Sequence, residues 1–138
     1  MTIPDDTLVL QEYRNAIYEI YEPHILMHVG QASPELDQLL AQHDEERWAF
    51  ITPYNPYPHK LTAAENEARL EELRHLAHSF ITYAGEGRDD GATPCPIEKG
   101  LFILGIPPNE AGNLGQQFDQ KAILVGHYGK PVELMVLK

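Results

Sequence analysis

The chain has 138 residues, 43% of them hydrophobic, a single cysteine and a formal net charge of −11. That length suits one domain with a real core, and the lone Cys95 excludes an internal disulfide framework and fits a reducing, cytoplasmic compartment. The scattered acidity excludes a phosphate-tracking nucleic-acid binder, and no apolar run approaches the roughly 20 residues of a membrane span, so no membrane partner is expected.

The opening MTIPDDTLVLQEYR has no basic stretch followed by an apolar core, so no signal peptide is expected. Asp5 or Asp6 caps a candidate helix running to Arg14. Residues 16–22 (AIYEIYE) are rich in tyrosine and isoleucine and predict a strand. Glu22-Pro23 breaks it, and residues 24–29 (HILMHV) return as its hairpin partner. Ser33-Pro34-Glu35 opens a helix to about Gln42: serine caps, proline fits the first turn, and the acid meets the positive end of the dipole. WAFIT at 48–52 predicts a central strand, stopped at Pro53-Tyr54-Asn55-Pro56, where two prolines forbid further ladder pairing.

Thr62-Ala63-Ala64-Glu65 is a capping box, and its helix continues to about Ser79. FITYA at 80–84 predicts a strand, followed by a loop at 85–97 that holds three glycines and two prolines. GLFILGI at 100–106 predicts another strand, and Pro107-Pro108-Asn109 leads a helix to about Phe118. Residues 121–128 and 132–137 form a closing hairpin around Gly129-Lys130. The order ββαβαββαββ, behind a candidate leading helix, is too irregular for a doubly wound sheet. It predicts one α+β domain over residues 1–138, a mixed or mainly antiparallel sheet of about six or seven strands with two or three helices packed on it.

Polar residues in unexpected places point toward function. On the helix opened by Thr62, Leu70, Leu73, Leu76, Ala77 and then Phe80 share one stripe at 100° per residue. Asn66 precedes Leu70 by four and Arg69 precedes Leu73 by four, so both face the way the leucines face. A buried amide and guanidinium are costly unless bonded or paired, and the adjacent helix N-terminus is a ready anion site. Asn55, in a rigid turn between prolines, adds a second aimed amide. Glu98, just before an apolar strand, is a candidate general base or a partner for Arg69. Each also has an ordinary structural reading: Arg69 reaching the helix edge, Asn66 and Asn55 bonding neighbouring backbone, Glu98 as a strand-end charge.

Other signals are discounted. His75 and His78, with Glu71, lie on the outer helix face without a fourth ligand, so no metal site is expected. Cys95, within Pro94-Cys95-Pro96, has no histidine nearby in sequence to activate it. GEGRDDG at 85–91 lacks the lysine of a P-loop, and no cofactor motif is present. Tyr13, Tyr18 and Tyr21 read as strand and core aromatics.

The segments FITPYNP at 50–56, Glu65-Asn66 with Arg69, Gly85-Glu86-Gly87, Glu98, Gly105-Ile106 and Gln120-Lys121-Ala122 resemble a domain-of-unknown-function family of small bacterial proteins, number 3293. The likeness runs from about Tyr13 to Leu134, and the pairing of FIT-x-x-NP with EN-x-x-R is its specific part. The family pattern has a small residue where this chain has Pro53, often tryptophan near the position of Cys95, and QNA where this chain has Gln120-Lys121-Ala122. The resemblance implies no activity. It implies that Asn55, Glu65, Asn66, Arg69, Glu98 and Gln120 correspond to the family's recurring polar positions.

These readings give an expected site for an anionic small molecule or nucleotide. Arg69 and the helix start hold the anion, Asn55 and Asn66 orient it, and Glu98 acts as base or acceptor, with Glu65 and Gln120 added by the resemblance. Any chemistry is hydrolysis or group transfer without a cofactor. The alternative is a non-enzymatic interaction or regulatory module whose polar set is a buried structural network.

Overall fold

The structure, a computed structural model, describes residues 6–55, 59–89 and 97–138. Helix α1 (Asp6–Asn15) leads into the hairpin β1 (Ile17–Ile20) and β2 (Ile25–Met27). Then follow α2 (Pro34–Gln42), β3 (Arg47–Ile51), α3 (Ala63–Leu76), β4 (Ile81–Arg88), β5 (Glu98–Leu104), α4 (Pro108–Gln117), β6 (Ala122–His127) and β7 (Glu133–Val136). The strands make one curled sheet in the order β2-β1-β4-β5-β3-β6-β7, antiparallel throughout. This is the expected α+β fold with seven strands, and the leading segment does form a helix, which brings the described helices to four.

Local chemistry sets the helix starts. Ser33 Oγ accepts the Leu36 N–H at 3.3 Å ahead of Pro34 in the first turn of α2. Thr62 Oγ1 accepts the Glu65 N–H at 3.2 Å while Glu65 Oε1 accepts the Thr62 N–H at 2.9 Å, completing the capping box of α3.

Alternation along the strands divides the core between two faces. Tyr18, Ile20, Met27, Trp48, Phe50, Phe102 and Leu124 pack with Leu36, Leu39 and Leu40 of α2 on one face. Ala49, Ile51, Leu101, Ile103 and Ile123 pack with Leu73 and Ala77 beside α3 and with Ala111 and Phe118 beside α4 on the other. Burying two such faces supplies the main driving force for folding.

The extents of β4 and β5 and the exposure of Leu76 differ from expectation. Residues 85–88 continue β4 and are not a loop, and Glu98 is the first residue of β5 instead of a turn residue ahead of it. Gly85 and Gly100 are cross-strand partners, and a Cβ on either would collide: 2.3 Å from the Glu19 carbonyl oxygen at Gly85, 2.6 Å from Phe50 Cζ at Gly100. The Phe50 ring lies over this glycine pair, so here glycine marks close approach within a sheet, not a turn. Strand β3, expected to be central, is interior as expected, paired with β5 on one side and β6 on the other. Leu76, placed on the core stripe by periodicity, is 39% exposed, because α3 ends there.

The cap at Asp5, Cys95 with its flanking prolines, and Pro56 lie outside the described residues. Among the described residues no helix is long and apolar enough to cross a membrane.

Candidate functional site

The turn after β3 carries the polar cluster. Asn55 has φ 47°, the left-handed region that asparagine tolerates better than most side chains. That conformation turns both its main chain and its amide toward α3. Its N–H donates to Asn66 Oδ1 at 2.8 Å, and Asn66 Nδ2 donates back to Asn55 Oδ1 at 3.1 Å. The Leu61 N–H also donates to Asn55 Oδ1, at 2.9 Å, closing the loop onto itself. Asn55 Nδ2 donates to Glu98 Oε2 at 3.0 Å, which ties the turn to the start of β5. Asn66 is 5% exposed, buried as the leucine stripe of α3 requires.

Arg69, one turn further along α3, pins a different pair of segments. Its Nε donates to the Pro53 carbonyl at 2.7 Å and its Nη2 to the Phe118 carbonyl, and its guanidinium carbon lies 5.2 Å from the centroid of the Phe118 ring. Gln120, 3% exposed, donates from Nε2 to the Tyr54 carbonyl at 3.1 Å and to the Phe118 carbonyl at 3.3 Å. Four segments therefore meet in one hydrogen-bonded clasp: the β3–α3 turn, α3, the start of β5 and the α4–β6 turn. Among the described residues no buried side-chain nitrogen or oxygen lacks a partner.

Of the six expected site residues, Asn55, Asn66 and Glu98 are joined by direct hydrogen bonds through Asn55, and Arg69 and Gln120 join the group through main-chain carbonyls. Glu65 stands apart on the exposed side in the capping box, where Thr62 holds its carboxyl below the ordinary value. Arg69 is not the partner of Glu98: the carboxylate bonds the Asn55 amide and the guanidinium bonds main-chain oxygens. The start of α3 already hosts the Glu65 carboxylate, which reduces its attraction for another anion.

Glu98 is the chemically unusual member. Burial pushes its carboxyl above the ordinary value, opposed by the Asn55 amide and by the charge of Lys60. Tyr13, on α1, stands close by, and burial followed by the Glu98 charge raises its hydroxyl to about 12. Burial also raises Tyr18, whose hydroxyl donates to the Tyr13 carbonyl at 3.0 Å.

By sequence these tyrosines are strand and core aromatics. Tyr18 is a core residue, Tyr21 is 41% exposed, and Tyr13 sits on a helix beside the carboxylate. Only the tertiary fold brings Tyr13 to Glu98, and no spacing in the chain signals it. A surface cleft of about 370 Å³, lined by Ala41, Asp44, Glu45, Glu46, Arg47 and Tyr128, lies at the opposite end of β3 from the clasp.

No curated protein and no solved structure matches the chain. A family model described as a protein of unknown function, DUF3293, matches residues 51–123, more than half of the chain, from the last residue of β3 into β6. All the clasp residues fall inside that segment, and Tyr13 and Tyr18 fall outside it. The chain belongs to the DUF3293 family of proteins of unknown function.

Proposed function

We propose that the protein is a non-enzymatic interaction or regulatory module of the bacterial cytoplasm, in which Asn55, Asn66, Arg69 and Gln120 are a structural clasp instead of a substrate grip. One observation carries this reading: the two asparagine amides face each other and the backbone, and the Arg69 guanidinium bonds two main-chain carbonyls, so these groups are already engaged. A clasp of this kind fixes four segments relative to one another and so presents a defined surface.

Thermal and urea denaturation of Asn66→Ala and Arg69→Ala tests it. Each substitution orphans buried partners, and the expected loss is about 2–4 kcal/mol. Functional residues typically sit at a stability deficit, so variants that unfold with unchanged or raised midpoints would overturn the clasp.

A second reading, a site for an anionic small molecule or nucleotide with Glu98 as base, is favoured by the desolvated Glu98 carboxyl beside Lys60. The two readings part at Glu98→Gln. With a nucleoside monophosphate as probe, a thermal midpoint that rises for wild type and shifts differently for the variant supports the second; no rise in either supports the first.

A further inference from the structure

The sheet ends in two strands that pair on one side only, β2 and β7. An edge strand offers its outward N–H and C=O groups to another chain unless something covers them. β2 is only Ile25–Met27 and follows Glu22-Pro23, so it offers little. β7 is the open edge. The Leu137 N–H donates to the Lys121 carbonyl at 2.8 Å, which makes Leu137 and, by alternation, Met135 and Glu133 the residues bonded toward β6. Val132, Leu134 and Val136 therefore turn their main-chain groups outward. At Val132 the segment after β2 closes the edge: the Gly30 N–H donates to the Val132 carbonyl at 2.8 Å, and the Val132 N–H donates to the Gln31 carbonyl at 3.0 Å. Among the described residues nothing does the same for Leu134 or for Val136, which is 46% exposed.

We propose that this edge binds a second copy of the chain, with the two β7 strands antiparallel about a two-fold axis at Met135. A two-fold axis pairs a strand with itself only in registers that set outward groups against outward groups. Centred on Leu134, the register would set Val136 against Val132, whose groups are already taken. Centred on Val136, it would set Leu134 against Lys138, whose carbonyl accepts from Lys121 Nζ at 2.6 Å. Centred on Met135, Leu134 of each copy meets Val136 of the other, and every open N–H and C=O of both strands finds a partner. The side chains agree with that register. Met135 meets its own counterpart in a non-hydrogen-bonded pair, and Leu134 lies beside the copy's Val136, so apolar groups cover one another on both faces.

Charge favours the same occupant. Residues 121–138 hold Lys121, Lys130 and Lys138 against the single acid Glu133, in a chain whose formal net charge is −11. Two acidic molecules therefore repel each other least along this hairpin. The two-fold axis also carries Lys138 of each copy, which pairs with Asp119 of its own chain at 3.5 Å, toward the acidic first turn of the other's α2. Glu35 and Asp37 stand there, and Asp37 Oδ1 accepts the Gly129 N–H at 2.9 Å, which ties that turn to the hairpin. A contact along one short strand buries less than the roughly 1,200 Å² of a standard stable interface, so the dimer is weak and forms reversibly with concentration. The edge lies outside the clasp and does not depend on it.

Analytical ultracentrifugation of the full chain tests the proposal. Wild type is expected to pass from monomer toward dimer as its concentration rises to about 1 mM. Val136→Pro removes an outward N–H that β6 does not use, and is expected to weaken the dimer roughly tenfold or more. Should Val136→Pro not fold, Val136→Lys, a charge on the edge, makes the same comparison. Cross-linking reads the register. In a Cys95→Ser background, Met135→Cys is expected to give a disulfide-linked dimer on mild oxidation, because directly opposed Cα atoms lie about 4.5 Å apart. Val136→Cys, displaced along the strand from its own counterpart, is not. A wild type that stays monomeric throughout, as it would if the edge served an unlike partner or only solvent, overturns the proposal. So does a dimer that Val136→Pro and Val136→Lys leave intact, or cross-linking as efficient at 136 as at 135. Asn66→Ala and Arg69→Ala, which decide the clasp, leave β7 unaltered, so the two readings fail separately.

Discussion

At Asn55 the left-handed backbone and four hydrogen bonds through the main-chain N–H and the side-chain amide occur in one residue. An alanine there would meet the steric penalty of that region, about 1–2 kcal/mol, and would also leave Leu61, Asn66 and Glu98 without these partners. Glu98 behaves in the opposite sense. Its carboxyl is raised above the ordinary 4.5 by burial, so the folded state holds the proton more tightly than the unfolded chain does. The resulting contribution is fully present below the unfolded value and is lost as pH rises through the folded one. Wild-type stability is therefore expected to fall across the Glu98 titration above about pH 4.5, and Glu98→Gln to lack that descent. Urea midpoints across this range read the difference; parallel curves for the two proteins would refute it. The inward aim of Asn66 and Arg69 was legible from sequence, because a helix keeps its period and the leucines mark the core side. That Arg69 meets the Phe118 carbonyl and not Glu98 was not legible, because it depends on where α4 ends in space.

At the scale of elements, the starts of α2 and α3 followed from short-range chemistry: Ser33 ahead of Pro34, and Thr62 with Glu65, are complete signals within a few residues. The second half of strand β4 did not follow. Its glycines read as a loop, yet Gly85 is required because the Glu19 carbonyl and the Phe50 ring crowd the position, and both come from other strands. Overpacking of this kind costs typically 1–3 kcal/mol. Gly85→Ala is thus expected to lower stability by about that amount and to speed amide exchange in β1 more than in β6; a variant as stable as wild type would show that β1 does not need this close approach. The expected loop is instead strand as far as Arg88: Gly85 and Gly87 are strand residues, and Arg88 pairs with Glu86 at 3.0 Å and with Glu19 at 2.6 Å.

For the molecule as a whole, element order was enough to give an α+β fold with a mixed or mainly antiparallel sheet of about six or seven strands, but not the strand order. Hairpins β1–β2 and β6–β7 are local, whereas β1–β4, β3–β5 and β3–β6 join distant parts of the chain. Such pairing demands loop closure before it is rewarded, which slows folding. Refolding is expected in the millisecond-to-second range, monitored by the fluorescence of Trp48, the only tryptophan and 3% exposed. Complete recovery of the signal within microseconds would contradict the topology.

Strand β3 lies between β5 and β6, both later in the chain. While the polypeptide is still leaving the ribosome, β3 therefore has no neighbours to settle against. The turn bearing Asn55 cannot be fixed until Glu98 and then Gln120 have emerged from the exit tunnel. A nascent chain halted before β5 would carry the family's first polar residues in an unfinished state, waiting for the residues that complete them.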